Sequence, residues 1–354
     1  MTLLLNRSIQ SFGDLTQGLT WEQVRESVRQ DDQFKKDITS SRLFFDQDNN
    51  LRVDWVPHQL TKFGMSQLLQ RFTPSGARYI KKMLNGDEKS RKLAQDCINH
   101  GIQQAVARSR GSENAFLIRT RQLPNGQKIV RAVLSDRYQV LDNREILSGL
   151  AENLSSNLIP ARVKTSDSGF ELVVIDRLLS RDVAKDDRNY IANVYRNSEV
   201  GNGSISCLIG IFRALCLNGM SMPVSSYGIS VPHVSSQDIQ ELTYVSIKQG
   251  FDNATTLLDK LTASRDNVVP AQLLKPTIEL ISKDGRWSAP FEESVQYNAL
   301  SEEKTQYGII QAITHSAKQL SHEKFKETET FAGKLLMSDF NRYVRQAEAL
   351  TPIV

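Results

Sequence analysis

Arginines and lysines with tyrosines between them form a set of side chains whose type and spacing suggest binding chemistry. Cationic side chains can follow a phosphate backbone while aromatic rings stack on unpaired bases. The set comprises Arg119, Arg121, Lys128, Arg131, Arg137, Tyr138, Tyr195 and Arg196. It predicts contacts with a single strand of nucleic acid. An equally good interpretation is that these are exposed strand arginines that serve solubility alone.

A second candidate is the stretch from Tyr190 to Met222, which carries two arginines inside apolar runs, Arg196 and Arg213. A buried arginine needs a partner, either an acid such as Glu199 or an anionic ligand. The turn Gly201–Gly203 could present backbone amides to an anion. Two interpretations stay open: a core strand pair with a structural Arg–Glu pair, and an enzyme site that holds an anion.

Motifs of known catalytic chemistry are missing from the sequence. It contains no GxSxG, no Walker GxxxxGK[ST] and no GxGxxG pattern. Five histidines are scattered without metal-ligand spacing: His58, His100, His233, His315 and His322. We therefore expect no catalytic residue, no metal and no cofactor, and a protein that is not an enzyme.

Charge and composition set further limits. The 354 residues carry a net charge of +4, and 40% are hydrophobic, which is enough for a sizeable core. Residues 78–137 hold 13 basic and 5 acidic side chains, so the positive charge is concentrated locally. Three cysteines without CxxC spacing are typical of a reduced, intracellular protein. No signal peptide and no apolar run of about 20 residues is found. We expect a cytoplasmic protein with no membrane contact.

The elements that must position the basic set are predicted to be hairpins. The strands AFLIRTR (residues 115–121) and QKIVRAVL (residues 127–134) flank Asn125-Gly126, a strong hairpin signal. Alternation along the strands then places Lys128 on the same face as Arg119 and Arg121, with Arg131 on the other face. Neither face is cleanly apolar, so one face of this hairpin is expected to be wet or to hold a ligand.

The order of elements predicts an α+β fold. Its central, mostly antiparallel sheet is built from hairpins and is flanked by N-terminal and C-terminal helices. The first helix starts at Thr20, which with Gln23 makes a capping box. We expect a mainly helical region over residues 1–110, a β-rich core over 111–234, and a helical region packed on that core over 235–354.

Four segments together resemble a known family. They are Leu117–Asn143, Val194–Cys207 (VYRNSEVGNGSISC), Phe212–Met220 and Tyr307–Leu336. In combination they are similar to the phage/plasmid-like proteins of unknown function, DUF932, over roughly residues 60–340. Leu217 departs from the pattern, where a small polar residue is expected. The resemblance implies a phage, plasmid or bacterial host and no established activity.

Two functional hypotheses follow. The first is a non-catalytic phage or plasmid protein that binds, and anneals, single-stranded DNA in recombination or replication. Its partners would be the strand itself, further copies of the chain, and phage or host replication and recombination proteins. The alternative is a protein-interaction module of a mobile element that inhibits or modulates a host defence factor.

Overall fold

The computed structural model describes eight ranges of the chain. They are residues 7–10, 19–109, 115–153, 157–166, 169–213, 218–222, 228–233 and 239–351. Within them the chain forms helices and two mostly antiparallel sheets, which confirms the predicted α+β class. Cys216 and Leu217 of the sequence motifs lie outside the described residues.

The described residues contain thirteen strands. They are β1 (Arg7–Gln10), β2 (Lys35–Ser40), β3 (Leu43–Phe45), β4 (Leu51–Val53), β5 (Val56–Leu60), β6 (Phe116–Gln122), β7 (Lys128–Ser135), β8 (Leu158–Thr165), β9 (Phe170–Ala184), β10 (Asp187–Asn197), β11 (Ile205–Arg213), β12 (Asn218–Ser221) and β13 (Gly228–Val231). The first sheet has the order β1-β8-β9-β10-β11-β12, and β13 also pairs with β11. The second has the order β2-β6-β7-β5-β4-β3, in which β5 and β7 are parallel.

Eleven α-helices occur in the same ranges. They are α1 (Trp21–Asp32), α2 (Lys62–Phe72), α3 (Ala77–Met83), α4 (Glu88–Arg108), α5 (Asn143–Asn153), α6 (Ile239–Ala263), α7 (Leu274–Gly285), α8 (Ala289–Ala299), α9 (Gln306–Ser316), α10 (His322–Met337) and α11 (Asn341–Leu350). None of the described helices combines the length and the apolar composition that crossing a bilayer requires.

Local sequence signals account for several of these boundaries. The Thr20 side chain accepts the backbone N–H of Gln23 at 3.1 Å, and the Gln23 side chain accepts the N–H of Thr20 at 2.8 Å, so the predicted capping box is confirmed. The predicted hairpin of β6 and β7 also forms, with Gly126 at a φ of 81°. Short-range chemistry is therefore enough to fix these ends.

The second sheet crosses the predicted division at residue 110. Strands β2 to β5 come from the region that was expected to be mainly helical, and β2 and β5 pair with β6 and β7 beyond it. Helices α2 and α4 cover this sheet through Leu68 and Ile98, which pack in one cluster with Ile118 and Val130. The predicted single central sheet is thus two sheets, because the N-terminal strands supply most of the second one.

The first sheet carries the C-terminal helices. Ile191 and Ile209 of its central strands share a buried cluster with Leu257 of α6 and with residues of α7 to α11. A separate cluster joins α1 and α5 to the same sheet. The loop from β10 to β11 lies where the first sheet, the second sheet and α10 meet, and it organises both sites described below.

Candidate nucleic-acid interface and the buried charge cluster

Most of the basic residues singled out by sequence lie in a buried charge cluster between the two sheets. The cluster consists of the cations Lys35, Arg119, Arg121 and Arg131 and the acids Asp31, Asp32, Asp37, Asp142 and Glu199. The acids come from the end of α1, from β2, from the start of α5 and from the loop after β10. Elements distant in sequence thus converge on one face of β6 and β7.

A β-bulge decides which side chains share that face. The pairing of β6 with β7 shifts between Arg119 and Thr120, so Arg131 of β7 is skipped in the register. Arg119 and Arg131 consequently both reach Glu199. Lys128 lies opposite Gln122, hence on the face away from Arg121. The faces predicted for Arg131 and Lys128 from simple alternation are therefore wrong. Alternation does not include the bulge, and it assumed a different pairing of residues across the turn at Asn125-Gly126.

Glu199 is the centre of the cluster. Its carboxylate accepts hydrogen bonds from Lys35 Nζ at 2.7 Å, from Arg131 Nη2 at 2.9 Å and from the backbone N–H of Asn143 at 3.1 Å. Burial alone would raise the pKa of Glu199, but the charges of Lys35 and Arg131 lower that pKa to about 2. The carboxylate is therefore ionised at every physiological pH.

Arg119 and Arg121 are committed to carboxylates in the same way. Arg119 contacts Asp37 at 2.9 Å and Asp142 at 2.5 Å and is 2% exposed. Arg121 contacts Asp31 and is also buried. Four cations against five acids leave no excess positive charge for a phosphate. The cluster is suited to joining the two sheets, and these arginines face carboxylates instead of solvent.

The remaining predicted residues are dispersed. The Tyr138 hydroxyl donates to Ser198 O at 2.8 Å and its ring stacks on His233, while Tyr195 is buried in the core of the first sheet. Lys128 and Arg137 are exposed, each at an end of β7. Whether these two bind nucleic acid stays a prediction. Arg196 alone of the set reaches an open groove.

Arg196 is held by a second group of buried charges, the groove-floor cluster of Arg162, Glu171, Arg196 and Glu329. Glu171 accepts from Arg196 Nε at 2.9 Å and from Arg162 Nη2 at 2.9 Å, and Arg162 also reaches Glu329 at 2.9 Å. The sequence offered Glu199 as an example of an acid that could pair with Arg196, and the structure gives Glu171 as that acid. Burial raises the pKa of Glu329 against the opposing charge of Arg162.

The enzyme site that was one interpretation of the stretch from Tyr190 to Met222, made by Arg196, Glu199 and Arg213 together, is not supported by this geometry. Arg213 makes a two-point ion pair with Asp187, with both distances 2.7 Å, and Tyr307 donates to the same carboxylate at 2.6 Å. Arg196, Glu199 and Arg213 therefore belong to three different buried clusters. Among the described residues, no group of three or more His, Cys, Asp or Glu is placed to hold a metal ion.

The groove lies between the loop after β10, the connection from α7 to α8, and α10. Its volume is about 910 Å³. Five cations line it: Arg196, Arg286, Lys324, Lys326 and Lys334. Three acids line it as well: Asp284, Glu323 and Glu327. Arg196 is balanced by Glu171 beneath it, and the other four cations still outnumber the three acids, unlike in the buried charge cluster.

The acids of the groove already have partners. Asp284 accepts from Arg342 at 2.9 Å, Glu327 from Lys324 at 2.6 Å, and Glu323 from Asn202 at 2.8 Å. Within the described ranges Arg286, Lys326 and Lys334 make no ion pair. Burial and the nearby charge of Arg196 lower the pKa of Lys326. The groove therefore offers cations that make no direct ion pair, while Glu171 and Glu323 partly offset the charge of Lys326 through space.

Three aromatic rings form part of the groove lining. Trp287 packs edge-on against Phe291, with ring centroids 5.1 Å apart, and against Phe331 at 5.6 Å. Trp287 is half-buried, so part of its ring is accessible. Gly203, which also lines the groove, has a φ of 140° and open space where a Cβ would lie. The groove lining thus combines aromatic rings with cationic side chains.

Comparison with known proteins adds one result. Residues 130–330 match the family described as a domain of unknown function, DUF932. The chain belongs to the DUF932 family. No curated protein and no solved structure gave a match. The DUF932 region contains most of the groove, whereas Lys35, Arg119 and Arg121 of the buried charge cluster precede it.

Sequence reasoning missed most of this groove. Its walls come from residues near 200, near 286 and near 326, and no spacing rule connects three such distant segments. The usable signals were the run of lysines in α10 and Trp287 beside Arg286, and both are typical of ordinary surface helices. Only the packing of α10 against the loop after β10 of the DUF932 region reveals a common site.

Proposed function

We propose that the groove binds a single strand of nucleic acid and that the protein performs no chemical step on it. The observation that carries this proposal is the excess of cations beside the partly accessible ring of Trp287 in one open groove. The phosphates of the strand would supply negative partners for Arg286, Lys326 and Lys334, which make no ion pair within the described ranges. Unpaired bases supply flat rings for Trp287.

A single strand suits the groove better than a duplex. In a duplex the bases are stacked on each other and their faces are closed to a protein ring. The groove is lined by side chains from three separate segments, whereas a duplex reader places one helix in the major groove. Non-specific affinity with strong salt dependence is therefore expected.

The proposed setting follows from the family resemblance and not from the groove. We propose a cytoplasmic protein of a phage or plasmid, which holds single-stranded DNA during recombination or replication and brings complementary strands together. Replication and recombination proteins of the phage or host would be its natural partners.

The test is fluorescence-anisotropy titration of labelled single-stranded and duplex DNA over a range of salt concentrations. The groove variant Arg286→Gln/Lys326→Gln/Lys334→Gln is compared with a matched variant, Lys89→Gln/Arg91→Gln/Lys92→Gln, which removes the same charge from the exposed surface of α4. Each lost phosphate contact should lower the slope of log K against log salt by about 0.7. We expect a decrease of about 2 in the groove variant and almost none in the α4 variant.

Two outcomes would contradict the proposal. Wild-type protein that does not bind single strands at low salt would refute strand binding altogether. Equal salt slopes in the groove and α4 variants would show that binding takes place on another surface.

One observation favours the alternative function, a protein-interaction module. Trp55 lies at the tip of the β4–β5 hairpin, is 75% exposed and has a φ of 71°, next to Asp54 with a φ of 48°. Positive φ at bulky residues costs about 1–3 kcal/mol, and such strain often marks a functional position. If single strands do not bind, loss of a specific protein partner in Trp55→Ser would support this alternative.

A further inference from the structure

A small apolar groove between α7 and α8 is separate from the nucleic-acid groove. Its volume is about 370 Å³, and its floor consists of Leu274 and Ile278, which are otherwise buried. Leu300 at the end of α8 forms one side and is 70% exposed. Beside it Tyr297 projects from α8 with 76% of its surface exposed. A hydrophobic knob and a hydrophobic hole thus occur side by side.

Opposite charges flank this apolar groove. Lys275 is on the α7 side, where its nearest acid is Glu279 at 4.0 Å, the limit of an ion pair. Glu293 is on the α8 side and is exposed, and it makes no ion pair within the described ranges. Each charged side chain therefore remains available to an outside partner.

We propose that this surface, the α7–α8 patch, binds the same patch of a second copy of this chain across a two-fold axis. A two-fold interface requires one patch that is complementary to itself, since residue i contacts residue j and j contacts i. Tyr297 of each copy would fill the groove over Leu274 and Ile278 of the other. Lys275 of each copy would meet Glu293 of the other. Both the shape and the charges of the α7–α8 patch are therefore compatible with a two-fold axis.

The patch favours a second copy over an unrelated partner for a specific reason. A partner of other chemistry would have to supply both a knob and a hole, with an acid and a base in matching places. The patch itself already has all four features. Exposed Tyr297 and Leu300 side by side are also typical of an interaction surface, since lone exposed apolar residues are common but paired ones with an adjoining groove are not.

The experiment is sedimentation velocity on the full chain over a wide concentration range, combined with a charge swap. Lys275→Glu places two acids together at each contact, and Glu293→Lys places two bases together. Like charges at an interface weaken association strongly, so each single variant should raise the dimer dissociation constant by more than about tenfold. The double variant Lys275→Glu/Glu293→Lys restores opposite charges and should recover association close to wild type.

Two further variants and a folding check separate loss of association from loss of folding. Tyr297→Ser removes the knob and should also produce monomers, whereas Tyr244→Ser removes an equally exposed tyrosine from α6 and should not. Circular dichroism and the unfolding midpoint of each variant identify any that fail to fold. A wild-type chain that stays monomeric at the highest concentration would overturn the proposal. So would a charge-swapped double variant that associates no better than the single variants.

Discussion

The buried charge cluster and the proposed nucleic-acid groove are neighbours that hold the same residue types in different surroundings. They share the loop after β10: Glu199 enters the cluster, and Asn202 lines the groove. In the cluster four cations meet five acids, and Arg119, Arg131 and Glu199 are 2–3% exposed. In the groove five cations meet three acids and three of the cations make no described ion pair.

We infer from this difference that burial and charge balance, not the presence of arginine, distinguish a structural cluster from the proposed binding surface. Removing one partner from a buried pair leaves an uncompensated charge in a poorly solvated place. Removing a cation from the open groove leaves water in its place, so folding is barely affected and only ligand binding is lost. Stability and affinity should therefore respond separately to mutations in the two regions.

The largest expected effect is on stability. Glu199→Gln keeps the shape of the side chain but leaves Lys35 and Arg131 without their common acid. We expect the free energy of unfolding, measured by urea denaturation at neutral pH, to fall by about 3–5 kcal/mol. Glu348→Gln, at an exposed position of α11, is the control and should change it by less than about 0.5 kcal/mol. A loss below about 1 kcal/mol in Glu199→Gln would mean that the cluster does not hold the sheets together.

The pH dependence of the same residue gives a second test. Lys35 and Arg131 lower the pKa of Glu199 from 4.5 to about 2 against the effect of burial. A carboxylate with a lowered folded-state pKa contributes stability above its unfolded pKa, and this contribution disappears as the pH falls through the folded value. The stability gap between wild type and Glu199→Gln should thus shrink by about 3 kcal/mol between pH 4.5 and pH 2. A gap that stays constant over this range would contradict the buried, ionised carboxylate.

The ring of Trp287 in the groove lining should contribute to affinity by stacking on a base. Trp287→Ala should weaken binding of a single-stranded oligonucleotide by about 1–3 kcal/mol, because one base loses its stacking surface. Titration at constant salt measures this change, and Trp287→Phe should retain part of the affinity. The salt slope should stay at the wild-type value in both variants, since no charge is removed. If duplex and single strand lose equal affinity, the ring does not stack on bases.

The smallest expected effect compares two exposed cations. Lys334→Gln should lower the salt slope for single-strand binding by about 0.7 and leave the unfolding free energy within about 0.5 kcal/mol of wild type. Arg137→Gln, which alters an exposed cation outside the groove lining, should leave the slope unchanged. A lower slope in Arg137→Gln alone would instead favour the end of β7 as the binding surface.

Much of the fold could be predicted because it depends on short-range chemistry. The capping box at Thr20, the turn at Asn125-Gly126 and the β10–β11 hairpin all form as the residues indicated. The family could be identified from motifs as well. The face of the sheet on which Arg131 lies could not be predicted, because a bulge shifts the register by one residue without a signal in the sequence.

The sequence by itself determined that Arg196 and Arg213 need partners, because a guanidinium in an apolar strand cannot remain unpaired. Which partners they find was decided by the tertiary structure: Glu171 lies opposite Arg196 on β9, and Asp187 lies on β10, next to the strand β11 that carries Arg213. The same holds for the groove. The charge composition indicated an excess of cations. Only the packing of α10 beside the loop after β10 determined which of these cations line the groove without making a described ion pair. Electrostatic pairing depends on distance in space, and distance along the chain does not specify it.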